Sequence, residues 1–146
     1  MNTTNIEFWR LVIAAVLGIA IGLERTHAHK TAGMRTYALV SMGACLLVIL
    51  GETALPGVAN ANPFLIASSI VTGIGFLCGG VIIFQNHQLS GLTTAAGLWL
   101  TAGVGIAVGF GEVTLAVFAT CITLVVLTVL WFVEKIITKA TDQPRK

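Results

Sequence analysis

Residues 113–133 read VTLAVFATCITLVVLTVLWFV, a stretch without one charged side chain. As a helix rising about 1.5 Å per residue, such a run spans about 30 Å, the hydrocarbon thickness of a bilayer. Inside lipid every backbone N–H and C=O needs an internal partner, so a single apolar segment of this length must be helical. Four further apolar segments precede it, at about 8–23, 36–54, 64–84 and 93–110. Together they predict an all-α fold: a polytopic membrane helix bundle of five transmembrane helices, one domain over 1–146, with 134–146 as a short basic cytoplasmic tail. The composition agrees. Of the 146 residues 56% are hydrophobic and only 10% charged, against about 25% charged in soluble domains. A net charge of +2 argues against nucleic-acid binding, and the bilayer is the first partner implied. Cys45, Cys78 and Cys121 all sit inside apolar runs and read as small packing residues rather than disulfide or metal-cluster partners. The first segment lacks the basic start and small-residue cleavage site of a signal peptide.

Basic residues set the orientation. Arg25, Lys30 and Arg35 lie in or beside the first connection, and Lys135, Lys139, Arg145 and Lys146 follow the fifth segment, whereas 55–63 carries no charge. The positive-inside rule then places the N-terminus outside and the C-terminus in the cytoplasm, and five spans satisfy that parity. Reporters fused after Val58 and after Lys139 are expected to read outside and inside, respectively; the opposite pattern would reverse the orientation.

The first four segments carry small residues one turn apart: Ala14, Gly18 and Gly22, then Gly75 and Gly79, then Gly97, Thr101, Gly105 and Gly109. Small residues let helix backbones approach, which is the main packing device in a bilayer. The same glycines also fit a path whose backbone carbonyls face a substrate. Helix five, bulky throughout and ending on Trp131 and Phe132, reads as peripheral. Among the ionisable residues, Arg10 and Glu52 fall at one end of the bundle and Glu24, Arg25 and Arg35 at the other. Either all are interfacial, or Arg10 pairs with Glu52 and Glu24 with Arg35 inside the bundle, where buried charge marks function.

No catalytic constellation is visible. Asp142 is the only aspartate, His87 and Ser90 lack a third partner, and no Walker loop is present. No two acidic residues share a helix face within a span, as an oxygen-ligand magnesium site would want, so neither a metal nor a cofactor is expected.

Three blocks in order, RLVIAAVLGIAIGLER (Arg10–Arg25), AGMRTYALVSMGA (Ala32–Ala44), and GIGFLCGGVI (Gly73–Ile82) with GLTTAAGLW (Gly91–Trp99), resemble the MgtC/SapB family of bacterial inner-membrane proteins. The resemblance implies a multi-pass inner-membrane domain linked to magnesium limitation and intracellular survival. Its best-known members look like regulators, including of the proton-driven ATP synthase. It carries over to Arg10, Glu24, Arg35, Gly91, Thr94 and Trp99. The chain departs from the family where Leu65 and Ser69 stand for an arginine and a glutamine, Ser90 for a basic residue, and Thr93 for an asparagine of virulence members. Longer members add a soluble C-terminal domain after the fifth segment.

The expected function is therefore non-enzymatic: magnesium-linked or membrane-energetics homeostasis through contacts with other membrane proteins, the chain itself forming a homo-oligomer, most simply a dimer. The alternative is a small ion or solute transporter or channel with a glycine-lined path between helices three and four, gated by Arg10, Glu24 and Glu52. An internal repeat is a further expectation. Aligning Gly33 with Gly91 matches Thr36 with Thr94 and Ala38 with Ala96, which implies two parallel two-helix units. Each then opens a helix on glycine, with Thr36 and Thr94 available to the first-turn amides.

Overall fold

The structure, a computed structural model, describes residues 3–54, 62, 64–85 and 88–141. Within them the chain forms α1 (Thr3–His27), α2 (Met34–Ala54), α3 (Phe64–Val81), β1 (Ile83–Gln85), β2 (Gln88–Ser90), α4 (Leu92–Gly109) and α5 (Val113–Thr141). Each of the five helices is long and apolar enough to cross a membrane. The all-α, multi-pass architecture is as the sequence predicts, with two adjustments of extent. Helices α1 and α5 continue through charged turns beyond their apolar cores. Helix α3 ends at Val81 rather than Phe84, because the next residues pair as a short antiparallel hairpin, Ile83 with Ser90 and Phe84 with Leu89. The run VIIF is β-branched and aromatic, so it suits a strand as well as a helix.

Local chemistry sets the helix boundaries. Thr26, near the end of α1, donates its hydroxyl to the Gly22 carbonyl (2.9 Å) and accepts the first amide of α2, from Met34 (3.1 Å). The hydroxyl across the connection thus serves the amide that Thr36 was expected to serve. Gly33 must be glycine here, since a Cβ would run into Thr26 Oγ1. Asn62 caps α3 through its side-chain oxygen, which accepts the Phe64 amide at 3.0 Å. Gly91 opens α4 with φ of 87°, in the left-handed region, and no side chain caps it, Thr94 included. The two expected repeat units share a detail: Tyr37 donates its amide to Gly33 O, and Ala95 to Gly91 O. They differ in that only Gly91 takes a positive φ and only the second connection holds a hairpin.

Helix α4 is the hub, touching α1, α2, α3 and α5. Its buried residues include Gly97, Leu98, Thr101, Gly105 and Val108, repeating at three and four positions along one side. Facing them, α2 buries Tyr37, Ser41, Ala44, Cys45 and Val48. Thr101, fully buried, returns its hydroxyl to the Gly97 carbonyl at 2.8 Å, so it is satisfied without a partner helix. The same device on α5 settles Thr120 and Thr123, which with Ala116 face inward. Val113, Ala119, Leu124 and Leu127 are half-buried, the other described side chains of α5 are exposed, and Lys135 lies over the Trp131 ring at 5.0 Å. Its peripheral place is the expected one. Helices α2 and α3, although consecutive, scarcely touch.

Candidate functional site

The candidate side chains gather at both ends of the bundle, and a groove opens between α2 and α3. At one end, α4 terminates in a Schellman turn. The Glu112 amide reaches Ala107 O, the Gly111 amide reaches Val108 O, and Gly111 takes φ of 86°. That turn leaves the Gly109 carbonyl over. Arg10 of α1 donates to it from Nη1 at 3.0 Å, and the same nitrogen lies 3.3 Å from Glu52 Oε2 of α2. One guanidinium therefore joins three helices and sets positive charge at the negative end of the α4 dipole. Gly111 is needed for this as well as for its φ, since a Cβ there would sit 2.8 Å from Arg10 Nη2.

The Arg10 and Glu52 side chains keep 25% and 38% of their surface exposed, so solvent or headgroups screen the pair. A double-mutant cycle of Arg10→Gln and Glu52→Gln, followed by reversible unfolding in detergent, should give a coupling below about 1 kcal/mol. Arg10→Gln alone should cost about 1–2 kcal/mol, because the Gly109 carbonyl loses its charged donor. A coupling well above the single-mutant cost would show that the ion pair, not the bond to the carbonyl, holds this end of the bundle together.

At the opposite end the expected pairing of Glu24 with Arg35 does not form. Glu24 Oε2 instead meets Arg25 Nε at 3.2 Å, with side-chain exposures of 15% and 4%. The contact is ionic and off the hydrogen-bond axis, and neither atom has another partner. Consecutive helix residues point about 100° apart, so both side chains must bend along the helix end to meet. Among the described residues no ion pair includes Arg35, which stands exposed at the mouth of the groove.

Above the Glu24–Arg25 pair lies Tyr37, fully buried, donating its hydroxyl to the Thr94 carbonyl at 3.3 Å. Gly18, Gly22 and Gly97 crowd around it. A Cβ at Gly18 would sit 2.6 Å from the Tyr37 carbonyl oxygen, and at Gly97 2.6 Å from the hydroxyl. Tyr37 was not among the expected site residues. It is the only tyrosine in the chain, and a lone hydroxylated aromatic inside an apolar span was the available signal. Gly105 and Gly109 lie against Ser41 and Val48 of α2. Gly75 and Gly79 of α3 differ, since among the described residues nothing comes within 4 Å of a Cβ built on either. Thr94 is buried, while Thr93 and Trp99 face outward from α4. His87 lies outside the described residues.

The groove between α2 and α3 encloses about 800 Å³, with Ala102 of α4 at its back. Leu65 and Ser69, two of the positions where the chain departs from the resembled pattern, both line it. Among the described residues, no three His, Cys, Asp or Glu side chains stand close enough to hold a metal ion.

Residues 11–136 match the MgtC family. The chain belongs to that family. It is 39% identical over 125 residues to the "Putative magnesium transporter YhiD" of Escherichia coli K12, covering 82% of this chain and 58% of that protein. It is 43% identical over 114 residues to "Protein MgtC" of Salmonella typhimurium LT2, covering 78% and 48%. An uncharacterized protein of Haemophilus influenzae is 37% identical over 147 residues, covering 96% and 62%. The chain thus spans about half to three-fifths of the length of these relatives. No solved structure matches it. Among MgtC-family positions, Arg10 precedes the matched region, while Glu24, Arg35, Glu52, Gly91, Thr94 and Trp99 fall within it.

Proposed function

We propose that this MgtC-family chain is a non-enzymatic protein of the bacterial inner membrane, acting in magnesium-linked or membrane-energetics homeostasis by lateral contact with other membrane proteins. Its basic end, with Arg25, Lys30 and Arg35, faces the cytoplasm. The name of the E. coli relative, a putative magnesium transporter, supports the magnesium link. The observation that carries the mode of action is α3. Among the described residues nothing stands within 4 Å of a Cβ built on Gly75 or Gly79, and Phe76 beside them is 84% exposed. A small-residue face that packs nothing internally suits a second helix, from another copy in a dimer or from a larger complex such as ATP synthase.

Purification in mild detergent and in native nanodiscs tests this. The wild-type chain should run as more than one copy or bring a membrane partner with it. The double variant Gly75→Leu/Gly79→Leu should stay folded and lose that association. A monodisperse, partner-free wild-type monomer in both media would contradict the reading.

Transport through a glycine-lined path between α3 and α4 is the competing mechanism. The glycines of α4 that would line it are occupied: Gly97, Gly105 and Gly109 lie against α2, while Gly75 and Gly79 of α3 are exposed. That packing favours contact over conduction.

A further inference from the structure

We propose that the groove between α2 and α3 holds one acyl chain of an anionic phospholipid, with Arg35 taking the phosphate. Four observations converge on that occupant. The groove is open sideways, and in a membrane what stands beside it is lipid. Beyond Arg35 and Thr36 at one end, its walls are leucine, isoleucine, valine, alanine and glycine, and its one serine is already satisfied, Ser69 donating to the Leu65 carbonyl at 2.9 Å. An apolar wall with no unmet polar group suits a hydrocarbon and gives nothing to a hydrated ion.

Length is the third. From Arg35 to Leu47 along α2 the lining covers about 18 Å at the helical rise, slightly more than one leaflet of a hydrocarbon core about 30 Å thick. Polar and apolar lining are also ordered along this axis. Arg35 and Thr36 stand together at one end, where a headgroup belongs, and the rest is apolar but for the satisfied Ser69.

Charge is the fourth. Arg35 is exposed and in no ion pair among the described residues, in contrast to Arg10 and Arg25, each of which has a carboxylate. It sits on the first turn of α2, whose unpaired amides add positive potential. The end of the bundle with Glu7, Glu52 and Glu112, by contrast, offers only Arg10. A free guanidinium at the headgroup level over an apolar slot selects an anionic lipid over a zwitterionic one. The glycines Gly75 and Gly79 do not line this groove, so lipid there and a partner helix on α3's other side are compatible.

The test is native mass spectrometry of the full chain released from nanodiscs of equal phosphatidylglycerol and phosphatidylcholine. One retained lipid is expected, with phosphatidylglycerol preferred about fivefold, the effect of one cationic side chain at a membrane surface. Arg35→Gln should bring the preference close to one, while Lys30→Gln, a neighbouring charge outside the groove lining, should leave it. Gly43→Phe should remove retained lipid of both kinds, because Gly43 lines the groove and has nothing within 4 Å of its Cβ position. Gly73→Phe fills the opposite wall under the same condition and replaces Gly43→Phe if that variant misfolds. Equal retention of both lipids, no retained lipid, or a preference that survives Arg35→Gln would overturn the proposal. So would a dimer split by a groove-filling variant that still keeps its lipid, which would place a second copy there instead.

Discussion

Replacing Gly105 by alanine will lower the stability of the bundle by about 2 kcal/mol, and replacing it by leucine will leave no monodisperse folded protein. The cause is backbone against backbone. A Cβ at Gly105 would overlap the Ser41 carbonyl oxygen, lie 2.8 Å from its carbon, and reach Ala44 Cβ at 3.0 Å. A carbonyl inside a helix cannot rotate away, so α2 and α4 must separate along their whole shared length. Overpacking of this kind costs about 1–3 kcal/mol or more. The gain of alanine over glycine in helix propensity, up to about 1 kcal/mol, offsets only part of it. The contrast is on α3. Gly75→Ala meets nothing and should be neutral or slightly stabilising on propensity alone. Reversible unfolding of both variants in one detergent measures the difference. Equal effects at Gly105 and Gly75 would mean that α2 and α4 do not approach as described.

Tyr37→Ala should cost more than Gly105→Ala, about 3 kcal/mol. Tyr37 is fully buried where α1, α2 and α4 meet, and truncating a buried aromatic to alanine costs about 3–5 kcal/mol in water-soluble cores. The low end applies because lipid is as apolar as a protein core, so only the packing share of that cost operates. Tyr37→Phe separates the ring from the hydroxyl. It removes the bond to Thr94 O and should cost about 0.5–1.5 kcal/mol, since that carbonyl lies inside α4 and keeps a backbone partner. If Phe and Ala cost the same, the hydroxyl carries the site; if neither costs anything, Tyr37 is not the junction.

These two residues also show where reading the sequence succeeds and where it stops. The five spans are legible because lipid permits little else: an apolar run long enough to cross must be a helix. The glycine stripe of α4 is legible as a packing face, yet its partner is not, because a one-turn spacing shows which residues align and not which helix they meet. Gly105 and Gly75 belong to similar patterns, and one is jammed against a carbonyl while the other faces open space. The end of α3 is missed because Ile82–Phe84 fits strand and helix alike. Charges divide in the same way. Arg10 and Glu52 end neighbouring helices on one side, so their pairing follows from topology. Glu24 takes Arg25 over Arg35 through side-chain bending that no linear spacing encodes. Thr26, which caps α2 from the end of α1, was hidden for a related reason: its partner lies across a turn whose path depends on His29 taking φ of 54°.

Magnesium flux into proteoliposomes holding the purified full chain tests most directly whether the molecule works by contact or by conduction. With a magnesium-sensitive dye inside, and with and without a membrane potential, the expected uptake equals that of empty vesicles and is unchanged by Gly75→Leu/Gly79→Leu. Saturable uptake above empty vesicles would contradict lateral contact as the mode of action.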